Sequence, residues 1–421
     1  MSQVFDVAVV GGGAAGLAAA ISAARRGSRV VVCDRMPRLG KKILATGGGR
    51  CNLLPERLEA SSFTTTSPSV VASVFGQFGP ERILDFFKGL GLRTYSDGSR
   101  IFPVTNQAAS VLSVLELEVR RLGIAVETNL EARSVGRKSG IFSISAAGSG
   151  KKLEARSVVL AGGGRSYPAL GSNGSCYELA AIFGHGIITP VPSAVPLIVK
   201  DRMCHVLQGS KIRARATGLI GGKPAESADG EILFTQYGLS GTAVLDISES
   251  LSAAIHRGGN PDTAVVLDLV PFMTASSLAA ELSKRIREGW ADSDLVAGIL
   301  PDRFSSLVSR WLAAEKRHTE RAAETLAAAL KTKRLPVSGT RGWNEAEFTS
   351  GGVDAREVDP RTLESVRRPG LYFAGEILDV QGPRGGYNLA WAWASGIVAG
   401  LAGRAPRGNA GVSPTSRRSS E

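Results

Sequence analysis

Six residues near the start of the chain, Gly11-Gly12-Gly13-Ala14-Ala15-Gly16, satisfy G-x-G-x-x-G, and Asp34 follows Gly16 by 18 positions. Glycine types at this spacing suit a phosphate-binding turn. Gly11 permits the tight bend, Gly13 lets backbone approach a pyrophosphate, and Gly16 lets helix and strand pack closely. Ala14 and Ala15 open the helix whose unpaired N–H groups would meet the phosphates. Asp34, with Arg35 beside it, is placed to accept hydrogen bonds from ribose hydroxyls. Four further stretches carry the same kind of chemistry. Lys41 and Lys42 precede Thr46, Gly47, Gly49, Arg50, Cys51 and Asn52, a glycine run with flanking cations suited to backbone lying against a phosphate or a ring face. Ala161-Gly162-Gly163, Gly375-Glu376 and Gly385-Gly386-Tyr387-Asn388 lie far along the chain.

Regular elements must position these residues. Phe5–Val10 reads as a short apolar strand, Leu17–Arg26 as an Ala-rich helix, and Ser28–Asp34 as a second strand ending in the acid. Strand–turn–helix–strand–Asp is a complete dinucleotide-binding unit, far more specific than the glycines alone. Strand-like runs also precede Gly162-Gly163-Gly164 and Gly375-Glu376. A site assembled from such separated pieces fits FAD better than NAD, whose enzymes would continue with plain β-α-β units. Glu376 is then expected at the ribityl chain, and the helix opening near Gly385-Gly386 is expected to aim its positive end at the flavin pyrimidine ring. The fold class is α/β: a Rossmann-type, two-dinucleotide-binding-fold FAD domain with an inserted β-barrel-like and helical region.

From about Val4 to about Gly403 the sequence resembles the YhiN family of NAD(P)/FAD-dependent oxidoreductases. The resemblance is strongest at Gly11–Gly16, Gly40–Asn52, Arg100-Ile101-Phe102-Pro103, Gly164-Arg165-Ser166-Tyr167-Pro168, Leu233-Phe234-Thr235 with Gly238-Leu239-Ser240-Gly241, and Leu335–Asn388. Three departures stand out: Leu53-Leu54-Pro55 where Val-Thr-Asn is usual, Ser175-Cys176 where Asp-Gly is common, and Arg384 where Thr is more usual. They bear on the substrate pocket rather than on FAD. No His or Cys stands out as an attachment site, so noncovalent FAD is expected, and the single dinucleotide fingerprint leaves NAD(P)H as a transient reductant; the resemblance also implies an insertion seated over the flavin.

Several classes are excluded. Four cysteines with no Cys-x-x-Cys pair, and four histidines without ligand spacing, argue against a metal site. No run of about 18 apolar residues suggests a membrane span, and the first residues lack a signal peptide's basic segment. A cytoplasmic protein is expected. The net charge of +12 raises the prospect of a polyanionic partner such as rRNA, with compositional bias as the plain alternative. Cations that could serve it include Lys284, Arg285, Arg287, Arg303, Arg310, Lys316, Arg317, Arg321, Lys331, Lys333 and Arg334.

The expected layout is a FAD domain over 1–190, an inserted β domain over 191–270 after the stiff Pro190–Pro196 stretch, helices over 271–338, a return to the FAD domain over 339–403, and a disordered tail over 404–421. Thr319 is the expected N-cap of the last inserted helix. The insertion's first part, Leu197–Val270, reads as short strands alone. Reducing a C=C bond needs a proton donor. Cys51 beside Arg50, and Tyr387, are the candidates, with Tyr167 and Tyr237 behind them; the plain alternative for Cys51 is a small buried residue against the cofactor. The resemblance implies reduction of a C=C bond, including uridine to dihydrouridine in large-subunit rRNA. Oxidation of a small amine such as aminoacetone, reduction of a small enone, and a flavin-bearing RNA-binding factor without turnover are the other readings.

Overall fold

A computed structural model describes residues 4–146, 150–259, 262–314 and 320–403. Its first layer is a seven-stranded sheet. Ala125–Glu127, Val30–Cys33, Val4–Val10, Lys152–Leu160 and Leu371–Phe373 run parallel in that order. Lys152–Leu160 is shared: its second half pairs with Leu371–Phe373, its first half antiparallel with Ile141–Ala146, which in turn pairs with Ala132–Lys138. The apolar runs at Val7–Val10, Val30–Val32 and Val158–Leu160 suit strands covered on both faces, and all of these residues are buried.

Two helices, Ala14–Arg25 and Tyr387–Ala402, cover the sheet and touch each other along a stripe of small residues. A Cβ on Gly396 would stand 2.3 Å from the Ala15 carbonyl oxygen, and one on Gly400 2.2 Å from that of Ala19. This close approach locks the C-terminal helix onto the first helix. The far-separated glycine junctions thereby meet.

The chain leaves this layer through Ile187–Ser193 and returns through Phe348–Val353, and the two strands pair antiparallel. Between them lies a second seven-stranded sheet, antiparallel throughout. Its outer strands, Lys333–Pro336 and Gly339–Thr340, are successive stretches of one segment, so the sheet curls round and closes on itself. Helices Ala275–Arg287, Ser305–Ala314 and Glu320–Lys331 accompany it, and a separate hydrophobic core unites Val265, Leu267, Leu278, Phe304, Val308 and Leu330.

One correction concerns Leu197–Val270, read above as strands alone. It contains a 16-residue helix, Thr242–Arg257. Val244, Ile247, Ser248 and Leu251 form its buried face at three- and four-residue spacing. Thr319, Lys316, Arg317, His318 and the tail 404–421 lie outside the described residues. Among the described residues no helix is long and apolar enough to cross a membrane.

Candidate functional site

The parallel strands end at a cleft with about 1180 Å³ of empty space, mouth included. Gly11, at φ +103°, lies so close to the neighbouring strand end that a Cβ would stand 2.4 Å from the Ala161 carbonyl oxygen. Gly16 is tighter still, with a Cβ position 1.8 Å from the Gly11 oxygen. Gly13 differs: nothing lies within 4 Å of where its Cβ would be. It caps the helix Ala14–Arg25 in an extended conformation without a side-chain hydrogen bond, and no acid occupies the first turn. The helix's first N–H groups therefore face the cleft as donors, which suits a pyrophosphate.

Asp34 lines the same cleft. Its Oδ2 accepts from the Gly12 N–H (2.6 Å) and its Oδ1 from that of Met36 (2.7 Å), while burial pushes the carboxyl's pKa upward against those hydrogen bonds. Arg35 lines the cleft and forms a long 3.5 Å ion pair with Glu131.

Deeper in, one network ties four distant segments together. Lys42 Nζ donates to Ser166 Oγ and to Glu376 Oε2, both at 2.7 Å. Glu376 Oε1 accepts from Ser166 Oγ (3.0 Å) and from the Thr349 N–H (2.7 Å). Thr349 Oγ1 accepts from the Arg165 N–H at 2.8 Å. The expected Glu376 thus lines the cleft with both oxygens already engaged by protein. Gly375 sits just behind, its N–H donating to Ser395 Oγ at 2.9 Å.

The cleft collects Gly11, Gly13, Ala14, Ala15, Asp34, Arg35, Lys41, Lys42, Thr46, Ala161, Gly162, Gly163, Glu376 and Asn388 from the sequence reading. Gly47, Gly49, Arg50, Cys51, Asn52, Gly385, Gly386 and Tyr387 do not line it. The Thr46–Asn52 turn closes on itself: the Cys51 N–H donates to the Thr46 carbonyl (3.0 Å), and a Cβ on Gly47 would stand 2.9 Å from the Asn52 nitrogen. Arg50 lies over the Phe102 ring, 4.6 Å from its centroid, and does not lower the neighbouring thiol. Cys51 is fully buried, and burial pushes its thiol up to about 11. That removes both the access and the acidity that a proton donor at this position would need. The Tyr387 hydroxyl donates to the Arg57 carbonyl at 3.0 Å, and Asn388 braces both polar groups of Gly382. Gly385 and Gly386, both at φ +108°, form the turn that starts the helix Tyr387–Ala402. That helix does bring Asn388 and Leu389 of its first turn to the cleft.

Sequence reasoning missed the far wall. Glu347 and Phe348 line the cleft. Glu347 accepts a two-pronged bond from Arg384 (Nε and Nη2, both 2.9 Å), whose third nitrogen, Nη1, reaches Asp246 at 3.5 Å. Asp246 stands on the unanticipated helix Thr242–Arg257, with Glu249 one turn further. Burial raises both carboxyls. Burial works against the Arg384 charge, but Glu347 and Asp246 more than offset it and hold the pKa above its usual value. Tyr167, in a left-handed conformation at φ +53°, is raised by burial and by the charges of Glu347 and Glu345. The helical spacing around Asp246 was a usable signal; its meeting with Arg384, 138 residues away, was not.

The chain matches the family described as HI0933-like protein Rossmann domain over residues 5–402. It belongs to that family. The HI0933-like family and the YhiN family named from the motifs are one, and the chain is an FAD-dependent oxidoreductase. It is 37% identical over 407 residues to the 3-dehydro-bile acid delta(4,6)-reductase of Clostridium scindens, covering 94% of this chain and 98% of that one. It is 30% identical over 398 residues to the ribosomal RNA dihydrouridine synthase of Escherichia coli, covering 93% and 96%. Among solved structures, a flavocytochrome c3 fumarate reductase in its open conformation superposes with a TM-score of 0.51 at 16% identity, over 96% of this chain and 78% of that one. That likeness concerns the fold.

Proposed function

We propose that this HI0933-like protein is an NAD(P)H-driven reductase of a C=C bond conjugated to a carbonyl. The observation that carries the reading is the cleft's polarity along its length. One end suits a dinucleotide pyrophosphate, and at the other the cleft-lining Glu347 holds a permanent cation, Arg384, behind it and acts on the Tyr167 hydroxyl. FAD bound there would, once reduced by NAD(P)H, supply the hydride; the sequence carries no second dinucleotide fingerprint for NAD(P)H. The helix at Ala14 holds the pyrophosphate, Asp34 the ribose, and the Lys42–Glu376–Thr349 network fixes the wall around the flavin half. Segments 1–190 and 339–403 bind the cofactor, and 191–338 shapes the substrate space.

The substrate class follows from the relatives' shared chemistry: a ring whose C=C bond is polarised by a carbonyl. A small conjugated molecule is favoured because several cations of the insertion are engaged internally. Lys331 pairs with Asp268 and two carbonyls, Arg285 with Glu281, Lys333 with Asp201 and Arg334 with Asp262. Uridine in large-subunit rRNA is the second reading, favoured by the dihydrouridine synthase relatives and the net charge of +12. Either fits a cytoplasmic location. The test compares dihydrouridine in large-subunit rRNA from cells with and without the gene, alongside turnover of 4-en-3-one steroids by the purified protein. Loss of one rRNA site on deletion assigns the RNA; steroid turnover with unchanged rRNA assigns the small molecule. Peroxide release with aminoacetone and no turnover of either would contradict the reductase reading.

A further inference from the structure

We propose that Arg384 is the residue that recognises the substrate's carbonyl oxygen and takes up its developing negative charge, an inference that rests on the conjugated-reductase reading above. In such a reduction hydride forms a bond to the β-carbon, the C=C pair shifts toward the carbonyl carbon, and the carbonyl pair moves onto oxygen. The enolate then accepts a proton at the α-carbon, and NAD(P)H is the reductant overall. The chain must therefore offer a fixed donor of positive charge where that oxygen develops its charge.

The geometry points to Arg384 because its guanidinium is half used. Glu347 takes the Nε–Nη2 edge with two bonds of 2.9 Å, which locks the plane of the group against the cleft wall. Nη1 is left with only a 3.5 Å approach to Asp246, at the limit of a hydrogen bond. At that distance Asp246 is a weak competitor for that nitrogen. A cation held by one edge and underused at the other is a prepositioned receptor for an oxygen. Only 23% of the side chain is exposed, so water screens it little.

Arg384 also joins two parts of the molecule. Glu347 immediately precedes the strand Phe348–Val353 by which the chain returns to the FAD layer, and Asp246 belongs to the helix Thr242–Arg257 of the insertion. A substrate oxygen at Nη1 would lie between the cofactor cleft and the insertion, where substrate shape can be read. Glu347 is a positioning residue in this arrangement, since it acts through the guanidinium it orients.

The test uses the purified holoprotein and its Arg384→Met and Arg384→Lys variants, with FAD content and thermal midpoint measured for each. Two readouts follow. The first is binding of para-nitrophenol to the oxidised protein, whose visible band distinguishes phenolate from phenol and whose oxygen stands in for the enolate. The second is anaerobic reoxidation of the reduced flavin by a 4-en-3-one steroid. Arg384→Met is expected to lose phenolate binding and to slow reoxidation roughly 10²–10³-fold, the usual loss for an oxyanion donor, at unchanged FAD content. Arg384→Lys should fall between, having the charge without the fork, and it carries the test if Arg384→Met does not fold. Wild-type protein that binds no phenolate, or an Arg384→Met variant that binds and reacts like wild type, overturns the assignment. Reoxidation absent in the wild type, with phenolate binding still dependent on Arg384, would instead remove the reductase reading and leave Arg384 as an anion site.

Discussion

The two halves of the cleft are built on different principles. At the dinucleotide end the wall is backbone: the Gly11 turn, the open face of Gly13 and the uncapped helix at Ala14. At the far end the wall is made by side chains from remote segments: Glu347 lines it and is held by Arg384, which also reaches Asp246. Backbone sites depend on local sequence and tolerate little change. Side-chain sites depend on tertiary contacts and can be retuned one residue at a time. A conserved cofactor can then serve different substrates on the same frame.

The largest expected effect lies at the backbone end. Gly11→Val adds a side chain where even a Cβ would stand 2.4 Å from the Ala161 oxygen, at a φ that valine strongly disfavours. The variant should purify without FAD or fail to fold, and absorbance of the flavin band reads this directly. A variant with full flavin content would show that the turn is not the cofactor's seat.

The network at Lys42 should give the next effect. Removing one partner of a charge-assisted bond costs about 1.5–3 kcal/mol, so Lys42→Met should weaken FAD binding roughly 10–100-fold, measured by titrating apoprotein. Glu376→Gln should cost less when Lys42 is already gone, since the two are joined at 2.7 Å. Additive losses would mean that they act separately.

A smaller effect is expected at Cys51. It is buried outside the cleft, so Cys51→Ser should change the reduction rate less than about 3-fold, well under the 10²–10⁴-fold of a lost acid. Cys33, Cys51, Cys176 and Cys204 are all buried, and burial raises every thiol, so iodoacetamide should label the folded protein only slowly. Rapid labelling with parallel loss of activity would restore Cys51 as a candidate.

The smallest effect concerns acid stability. The Arg356 guanidinium beside Asp354 holds that carboxyl down, at about 2 against the usual 3.8. A depressed carboxyl contributes stability that is fully present above its unfolded value and is lost as pH falls from about 3.8 toward 2. Arg356→Met should lower the thermal midpoint slightly at neutral pH, converge with the wild type near pH 2, and so flatten the decline in that window. Because Arg356 is largely exposed, the change will be modest.

The same contrast explains what could be read from sequence. Gly11–Gly16 with Asp34 declared itself because all its parts lie within one β-α-β unit and each glycine has a steric task. The glycine junctions at Gly162 and Gly375 followed from the strands before them. Of the Thr46–Asn52 run, Thr46 reaches the cleft, while the glycines after it form a turn that closes on Asn52. The helix Thr242–Arg257 was hidden among Gly-rich strands, although Val244, Ile247 and Leu251 kept its period. Arg384 was noticed as an unusual residue, yet its partners Glu347 and Asp246 could be found only once the two layers were folded together.

The central claim is tested most directly by reducing the holoprotein with NAD(P)H without oxygen, then adding a conjugated 4-en-3-one steroid or unmodified large-subunit rRNA. The account predicts that the flavin band, bleached by the nicotinamide, returns in proportion to the C=C bonds saturated. A band that stays bleached with both substrates and returns only when oxygen is admitted, with peroxide formed, would contradict it.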